Sequence, residues 1–338
     1  MHKLTVILSL FFAMFAVLPG QAAPKKKTDW QELNLKGKVK TLTHSMYDVI
    51  SFSGEIKVMV FKNRIYKFDS TGNQIEYASY GTDGLLFEKC IYKYDLTGNK
   101  IEAVGYEADG TFSYKKIYKY DSTGNQIEEA SYFSNGLLSG KRIYKYDSCG
   151  NKIEDVHYTV DMVVYIKNIY KYDSAGNRIE EASYRADGSL SGRYIYKRDS
   201  VGRSIEDEVY RDDDSLYIKH IYKYDSAGNL IKDVGYRDNG ILYIKYIYKY
   251  DTAGNKIEEV EYGADGSVCI TRIYMYDFFG NLIEEAKYGS DGLLSNKDIY
   301  KYDMSGNQIE AASYRRGTKF GQNKTVQTGL TSWAYEYY

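Results

Sequence analysis

The sequence predicts an all-β fold of tandem antiparallel β-hairpins, and three observations lead to this prediction. A 26-residue unit recurs ten times without insertion or deletion, and its glycine stands at regular intervals from Gly72 to Gly306. The chain has 39 tyrosines and two prolines, and tyrosine suits the pleated, half-buried surface of a strand. Each unit also contains two turn motifs that separate segments of about nine residues, which is the spacing of hairpins in all-β proteins.

Residues 1–22 are predicted to be a secretory signal peptide. They have a basic start, an apolar run and a small-residue exit, with cleavage after Ala22. An uncleaved membrane anchor is the alternative, but the run from Leu4 to Pro19 is short for a hydrocarbon core of about 30 Å. We therefore expect an exported bacterial protein, in the periplasm, at the cell surface or secreted, that does not span a membrane after signal cleavage.

Two segments that flank the repeats lack the repeated pattern. Residues 23–64 are predicted to form a linker and an N-terminal capping hairpin, because residues 35–64 alternate like strands. Residues 315–338 are predicted to form a C-terminal cap, in which Trp333, Tyr335 and Tyr337 stand at every second position. Repeat arrays need such ends to shield their terminal strand edges.

Residues 65–314 hold the ten repeats, whose fixed positions are counted from the glycine. Aspartate stands three residues before it, tyrosine six before and eight after, and isoleucine seven before and three after, in every unit. The loop between Asp121 and Asn125 fits a three-residue hairpin loop in which Gly124 is left-handed and the aspartate binds the turn amides. A second turn, such as Ala-Asp-Gly at 108–110, follows in most units, but the units with 160–162 and 212–214 lack its glycine.

These loops predict a cross-strand register. Tyr120 is placed opposite Gln126 across the first loop, and Ile101 opposite Ile117 across the second. In this register three tyrosine columns share one face with a column of alanine and valine, while isoleucine borders lysine and glutamate on the other face. Acidic residues five after the glycine then face basic residues of the next unit, as in Glu129–Lys141, Asp155–Lys167, Glu181–Arg193, Asp207–Lys219, Asp233–Lys245 and Glu285–Lys297.

A parallel β-solenoid is the alternative to antiparallel hairpins. It would stack nearly all the lysines from Lys67 to Lys301 in one like-charge column, so the antiparallel arrangement is favoured. Because each strand is rotated relative to its neighbour, twenty strands cannot stay flat. We expect a spiral β-shell or an elongated curved sheet, roughly 95 Å along the sheet at ~4.8 Å per strand.

The repeats resemble the YD repeats of the bacterial RHS family, whose motif is Tyr-x-Tyr-Asp-x-x-Gly-(Arg/Asn)-Leu. The segment from Tyr222 to Leu230 matches this motif, and Arg203 supplies the family's arginine in another unit. The resemblance covers residues 65–314 and implies a spiralling β-shell that encloses toxin segments or forms adhesive and carbohydrate-associated surfaces. The chain departs from the family in size, in having isoleucine for leucine, and in lacking an evident toxin domain, which puts toxin encapsulation in doubt.

The tyrosine columns are the predicted ligand surface, because rows of aromatic rings and hydroxyls suit sugars or extended peptides. We expect a non-enzymatic exported protein that binds a glycan or a peptide, or that mediates adhesion. The alternative is a structural shell or scaffold in an RHS-type toxin or secretion assembly, with a partner from that assembly. The surface residues are Tyr92, Tyr94, Tyr118, Tyr120, Tyr144, Tyr146, Tyr170, Tyr172, Tyr222, Tyr224, Tyr248 and Tyr250.

No catalytic, cofactor or metal site is predicted. His44, His157 and His220 are scattered along the chain, and we expect them on strand surfaces. Glutamates recur four residues after nine of the ten glycines, whereas a glycosidase needs one unlike acidic pair, so an envelope glycosidase would have to use the caps. The Asp-x-x-Gly-Asn turns offer too few oxygen ligands for calcium, and the charges on the isoleucine face argue against a transmembrane β-barrel.

The charge balance and the cysteines exclude further classes of protein. The 45 Lys and Arg residues nearly cancel the 46 Asp and Glu residues, so no basic field points to nucleic acid as a partner. Cys90, Cys149 and Cys269 occupy three unrelated positions of the repeat. They do not form a disulfide framework, and the fold must be held by packing.

Overall fold

The computed structural model of the protein describes residues 27–52, 55–319 and 322–338, and the predicted signal peptide lies outside them. These residues form one four-residue helix, α1 (Asp29–Glu32), and 22 strands. No helix among them is long and apolar enough to cross a membrane. The strands are β1 (Val39–Phe52), β2 (Glu55–Phe68), β3 (Gln74–Tyr80), β4 (Leu86–Tyr94), β5 (Lys100–Glu107), β6 (Phe112–Tyr120), β7 (Gln126–Phe133), β8 (Leu138–Tyr146), β9 (Lys152–Tyr158), β10 (Val164–Tyr172), β11 (Arg178–Arg185), β12 (Leu190–Arg198), β13 (Ser204–Tyr210), β14 (Leu216–Tyr224), β15 (Leu230–Arg237), β16 (Leu242–Tyr250), β17 (Lys256–Gly263), β18 (Val268–Tyr276), β19 (Leu282–Gly289), β20 (Leu294–Tyr302), β21 (Gln308–Lys319) and β22 (Gln322–Tyr337).

The sheet is antiparallel throughout and it is closed. Each strand pairs with the next in sequence, as β6 does with β7 and β8 with β9, which confirms the all-β hairpin prediction. The first strand also pairs with the last, from Val39 opposite Tyr337 to Asp48 opposite Gly329. The expected open spiral shell or elongated curved sheet is therefore wrong. The accumulated twist brings the two terminal edges together, and pairing satisfies backbone groups that an open sheet would leave unpaired.

The turns have the predicted chemistry. The ten repeat glycines all have positive φ, for example 90° at Gly124, which confirms the left-handed assignment. The carboxylate of Asp121 accepts hydrogen bonds from the main-chain amides of Thr123 and Asn125, both at 2.9 Å. In the two units whose second turn lacks glycine, Met162 and Asp214 take the left-handed position with φ of 58° and 62°.

A β-bulge near each turn shifts the register by one residue. Tyr120 lies opposite Gln126 as predicted, but Tyr118 lies opposite Glu129 because Ile127 is the extra residue of a bulge. A second bulge near the other turn places Ile117 opposite Glu102 instead of Ile101. The predicted register is therefore correct beside the turns and wrong beyond them. Because side chains alternate between faces, a shift of one residue exchanges the faces.

The shift gives the sheet two faces of different composition. The isoleucine face carries the isoleucine seven before the glycine, the alanine or valine six after it and the tyrosine eight after it, such as Ile117, Ala130 and Tyr132. The tyrosine face carries the tyrosines six and four before the glycine and the acidic residue five after it, such as Tyr118, Tyr120 and Glu129. The predicted sharing of one face by three tyrosine columns and the alanine/valine column is therefore wrong.

Ion pairs run along the isoleucine face from unit to unit. The glutamate four after the glycine bridges two lysines, as Glu102 does with Lys93 at 2.7 Å and Lys115 at 2.6 Å. Hydrogen bonds from these lysines hold the pKa of Glu102 below its usual value. The predicted pairing of Glu129 with Lys141 is wrong, because Lys141 binds Glu128 at 2.8 Å.

The other five predicted acid–base pairs have the same error of one position. In each of them the acidic residue five after the glycine lies on the tyrosine face, and the basic residue lies on the isoleucine face. The observed cross-strand neighbours of those acids are Asp155–Asn168, Glu181–Tyr194, Asp207–His220, Asp233–Tyr246 and Glu285–Asp298.

A small apolar cluster lies where the sheet closes. Val39, Leu42 and Phe68 are almost fully buried there, and Trp30 and Trp333 pack against them. The indole of Trp30 donates a 2.7 Å hydrogen bond to the main-chain oxygen of Val39, so the segment before β1 covers one end of the seam between β1 and β22.

Candidate functional site

The twelve predicted ligand-surface tyrosines all lie on the tyrosine face, in two columns that do different things. The members six before the glycine are Tyr92, Tyr118, Tyr144, Tyr170, Tyr222 and Tyr248. The members four before the glycine are Tyr94, Tyr120, Tyr146, Tyr172, Tyr224 and Tyr250.

The column four before the glycine has a structural bond. The hydroxyl of Tyr146 donates a 2.8 Å hydrogen bond to the main-chain oxygen of Gln126, next to the bulge of the preceding unit. Arg198 replaces tyrosine in one unit, and its guanidinium donates to the equivalent oxygen of Arg178 at 3.3 Å. The same bond is made by Tyr94, Tyr120, Tyr172, Tyr224, Tyr250, Tyr276 and Tyr302. These hydroxyls join one hairpin to the next.

The column six before the glycine alternates with carboxylates. Tyr222 lies directly opposite Asp233, and burial together with the charges of Asp207 and Asp233 raises the pKa of its hydroxyl. Tyr118 has the same environment, and burial followed by the charge of Glu129 raises its pKa to about 12. We call this row the tyrosine–carboxylate belt. Its members in strand order are Tyr118, Glu129, Tyr144, Asp155, Tyr170, Glu181, Tyr196, Asp207, Tyr222, Asp233, Tyr248, Glu259, Tyr274, Glu285 and Tyr300.

Basic side chains beside the belt compensate its negative charge. Lys116 lies 2.9 Å from Glu129 and Arg178 lies 3.0 Å from Glu181. Asp207 has a pKa above its ordinary value because burial disfavours its charged form. The belt therefore offers hydrogen-bond acceptors, donors and aromatic rings in one row, without a strong net field of either sign.

Both faces of the sheet contain buried side chains. Tyr170 on the tyrosine face is 8% exposed and Ala182 on the isoleucine face is 2% exposed. No second layer covers the belt, because all extensive contacts between the described strands join neighbours in the sheet. The belt is therefore not covered by another strand of the described chain.

Near the seam between β1 and β22, the belt positions hold different residue types. The ring of His44 stacks on Trp333 of β22, with centroids 5.0 Å apart and planes 5° apart. Tyr66 lies 5.3 Å from Tyr77, which occupies an acid position. Two further acid positions hold alanine, Ala103 and Ala311. Burial, with a smaller effect of the charge on Arg64, lowers the pKa of His44.

Histidine positions carry more interactions than the sequence predicts. Nδ1 of His220 lies 2.7 Å from a carboxylate oxygen of Asp233, and its Nε2 lies 2.8 Å from the hydroxyl of Tyr243. His157 lies 2.9 Å from Asp155. The contact of His157 with Asp155 follows from their spacing of two residues on one strand, whereas that of His220 with Asp233 depends on the bulged register.

Among the described residues, no group of three or more His, Cys, Asp or Glu side chains is placed to hold a metal ion. Both carboxylate oxygens of Asp121 already accept hydrogen bonds within the turn, from Thr123 and Asn125. The three cysteines are free thiols, with Cys90 buried and Cys149 exposed.

The fold and the belt define the class of protein, a closed antiparallel sheet of tandem hairpins with a row of tyrosines and carboxylates on one face. No family model matches the sequence, and no curated protein matches it. The motif-based resemblance to RHS repeats therefore stays a prediction.

Three solved structures are similar over parts of the chain. A chain in the crystal structure of TcdB2-TccC3-Cdc42 is 11% identical, with 81% of this chain and 23% of that chain covered and a TM-score of 0.21. A porin-like protein from Bacteroides uniformis ATCC 8492 is 9% identical, with 89% and 99% covered and a TM-score of 0.32. A protein of unknown function from Bacteroides fragilis NCTC 9343 is 16% identical, with 40% and 91% covered and a TM-score of 0.15. The chain spans about a quarter of the length of the first, and at these TM-scores the similarities carry no functional argument.

Proposed function

We propose that this protein is an exported, non-enzymatic binding protein whose tyrosine–carboxylate belt holds a glycan inside the closed sheet. The observation that supports the proposal is the alternation of partly buried tyrosines and carboxylates, as in Tyr118, Glu129 and Tyr144. Phenol rings offer stacking faces, and carboxylates accept hydrogen bonds from hydroxyl groups. Sugars present both an apolar ring face and hydroxyl groups.

The spacing of the belt suits a linear polymer. One unit contributes two strands, so equivalent tyrosines recur at about 9.6 Å, given ~4.8 Å per strand. This distance is about the length of two sugar rings. A ligand with a regular repeat would meet the same pair of groups in successive units.

Closure of the sheet favours a glycan over an extended peptide. Peptides commonly bind by adding a strand to an exposed sheet edge, and here the pairing of β1 with β22 leaves neither terminal strand with a free edge along that pairing. The mixed charge of the belt, in which Lys116 and Arg178 bind its carboxylates, also disfavours strongly charged polymers such as nucleic acid.

A glycan array with matched variants tests the proposal. The mature chain, residues 23–338, is compared with a variant in which Tyr118, Tyr144 and Tyr170 are all replaced by leucine. We expect glycan binding to weaken about 10-fold or more, which corresponds to ~1.4 kcal/mol.

The matched control places the same three substitutions on the isoleucine face, at Tyr132, Tyr158 and Tyr184. Binding by this variant should stay within twofold of the parent. Absence of glycan binding by the parent, or turnover of a glycan by the parent in a hydrolase panel, would contradict the proposal. Isolation of the native protein only in complex with toxin or secretion components would favour the structural-shell alternative.

A further inference from the structure

Among the described residues, the belt positions from β20 to β6, on either side of the seam, carry no carboxylate. In this arc His44 and Tyr77 stand at two of the acid positions. Ala103 and Ala311 stand at the other two. The repeats are otherwise nearly uniform, so the arc is the part of the belt whose chemistry differs from the rest.

Arg64 lies in the middle of this arc, at the position eight before the glycine of the first unit. It stands opposite His44 on β1 and Ser79 on β3. No carboxylate of the described residues forms an ion pair with its guanidinium. Its Nε atom is buried and lacks a hydrogen-bond partner within the described part of the chain.

Other basic residues of the same column have carboxylates beside them. Lys116 lies 2.9 Å from Glu129, and Arg142 stands opposite the same residue. Arg272 binds Glu259, and His220 binds Asp233 at 2.7 Å. Arg64 is therefore a belt cation whose charge has no counterion in the described part of the arc.

Aromatic side chains stand on the strands beside this cation. The stacked pair of Trp333 and His44 lies on one side, and the pair of Tyr66 and Tyr77 lies on the other. Burial raises the pKa of Tyr66, while the charge of Arg64 and a hydrogen bond to it act in the opposite direction.

Two nearby groups could change the charge of this site, and neither neutralises Arg64. Burial, and then the charge of Arg64, lowers the pKa of His44, so its imidazole is neutral at neutral pH and adds no second charge. Glu88 on β4 accepts a 3.2 Å hydrogen bond from Tyr77 and forms no ion pair with Arg64.

We propose that Arg64 and the rings of Trp333, His44, Tyr66 and Tyr77 form a subsite for an anionic sugar residue, one that bears a carboxylate or a sulfate. The guanidinium supplies the charge-assisted hydrogen bonds that such a group accepts, and the rings contact the face of the sugar. This inference rests on the proposed glycan function and adds the charge of the ligand and its position at the seam.

The test is an array of matched glycan pairs that differ only in charge: glucuronate against glucose, sialylated against asialo glycans, and sulfated against unsulfated ones. The parent should bind the anionic member of at least one type of pair about 10- to 100-fold more tightly, the range of one charge-assisted hydrogen-bonding group. Arg64→Gln should abolish this preference, and Arg64→Lys should retain part of it.

A control separates loss of the subsite from loss of the fold. Arg193→Gln removes an arginine of the isoleucine face that binds Asp214 at 2.7 Å, and the charge preference should persist in that variant. Circular dichroism spectra and urea midpoints confirm that each variant is folded. Equal binding of charged and neutral members, or an unchanged preference in Arg64→Gln, overturns the inference alone. Failure of the parent to bind any glycan overturns the proposed function as well.

Discussion

The hydroxyl of Tyr120 donates a 2.8 Å hydrogen bond to the main-chain oxygen of Lys100, which lies 20 residues earlier on the adjacent strand β5. The acceptor adjoins the bulge of the preceding unit, where the regular ladder is interrupted. Tyrosine at this position therefore repairs the local loss of a backbone partner. This explains why eight of the ten units have tyrosine in this column and a ninth has Arg198, which reaches the equivalent oxygen. The first unit has Phe68 at this position, which has no donor for the bond.

Removal of one such hydroxyl should destabilise the protein. Tyr146→Phe leaves the main-chain oxygen of Gln126 without its 2.8 Å donor, and we expect the free energy of unfolding to fall by about 1 kcal/mol. Urea denaturation followed by tyrosine fluorescence measures it. Tyr132→Phe on the isoleucine face serves as the control and should change the free energy by less. Equal effects at both positions would refute the structural role of the column.

At left-handed turn positions, replacing glycine should lower the stability of the protein and introducing glycine should raise it. Gly124 has a φ of 90°, and a Cβ atom added there would stand in open space, so Gly124→Ala should cost about 1–2 kcal/mol through backbone strain alone. Met162 adopts a φ of 58° in a unit that lacks the glycine. Met162→Gly should therefore raise stability by roughly 0.5–1 kcal/mol. Thermal unfolding of the two variants beside the parent checks both signs, and destabilisation by Met162→Gly would contradict the explanation.

The turn aspartates should make stability depend on pH in the acid range. The hydrogen bond from the Thr123 hydroxyl, with further bonds from Asn125, lowers the pKa of Asp121 to about 2. A folded pKa below the unfolded value of 3.8 means that the stabilisation is present above that value and is lost as the pH falls toward about 2. The hydrogen bond from the loop asparagine has the same effect on the pKa of Asp173, Asp225, Asp251 and Asp277.

Urea midpoints at pH 5, 4, 3 and 2.5 measure this dependence. We expect a decline that begins near pH 4, and Asp121→Asn should make the decline shallower because one titrating group is removed. The raised pKa of Asp207, caused mainly by burial, has the opposite sign and should reduce the decline slightly. A midpoint that is constant from pH 5 to 2.5 would rule out the contribution of the turns.

Removal of the last strand should expose two sheet edges. A chain that ends at Lys319 lacks β22 and leaves β1 and β21 unpaired along the seam. Unpaired edges associate with one another, so we expect oligomers or aggregates where the parent chain is monodisperse. Size-exclusion chromatography with light scattering measures this difference. Glu336→Gln, which breaks only the exposed ion pair with Lys40, should behave as the parent does.

The sequence predicts local features of this fold and fails on those set over a longer range. The left-handed Gly124 and the pairing of Tyr120 with Gln126 follow from the loop itself. No residue type marks the bulge at Ile127, because the isoleucine that stands there in every unit is also an ordinary strand residue. The side chains beyond the bulge are therefore predicted to lie on the wrong face of the sheet. Closure depends on β1 meeting β22, which repeat counting does not reveal.

The candidate site shows the same limit. Periodic spacing predicts five of the belt tyrosines, but their carboxylate partners require the bulged register, as in Tyr118 opposite Glu129. The pairing of His44 with Trp333 joins residues from the two ends of the chain, and no periodic pattern connects them. Tyr196, Tyr274 and Tyr300 belong to the belt as well, although their units carry atypical neighbours such as Arg198 and Met275.

Because every unit contributes two strands and pairs with its neighbours in the same way, a whole unit can be gained or lost while the remaining units keep their strand pairings. Each such event changes the perimeter of the ring by about 9.6 Å at ~4.8 Å per strand. Unequal recombination within the coding sequence would therefore change the circumference of the closed sheet in discrete steps. Copy number could then set the circumference of the closed sheet before a single side chain is altered.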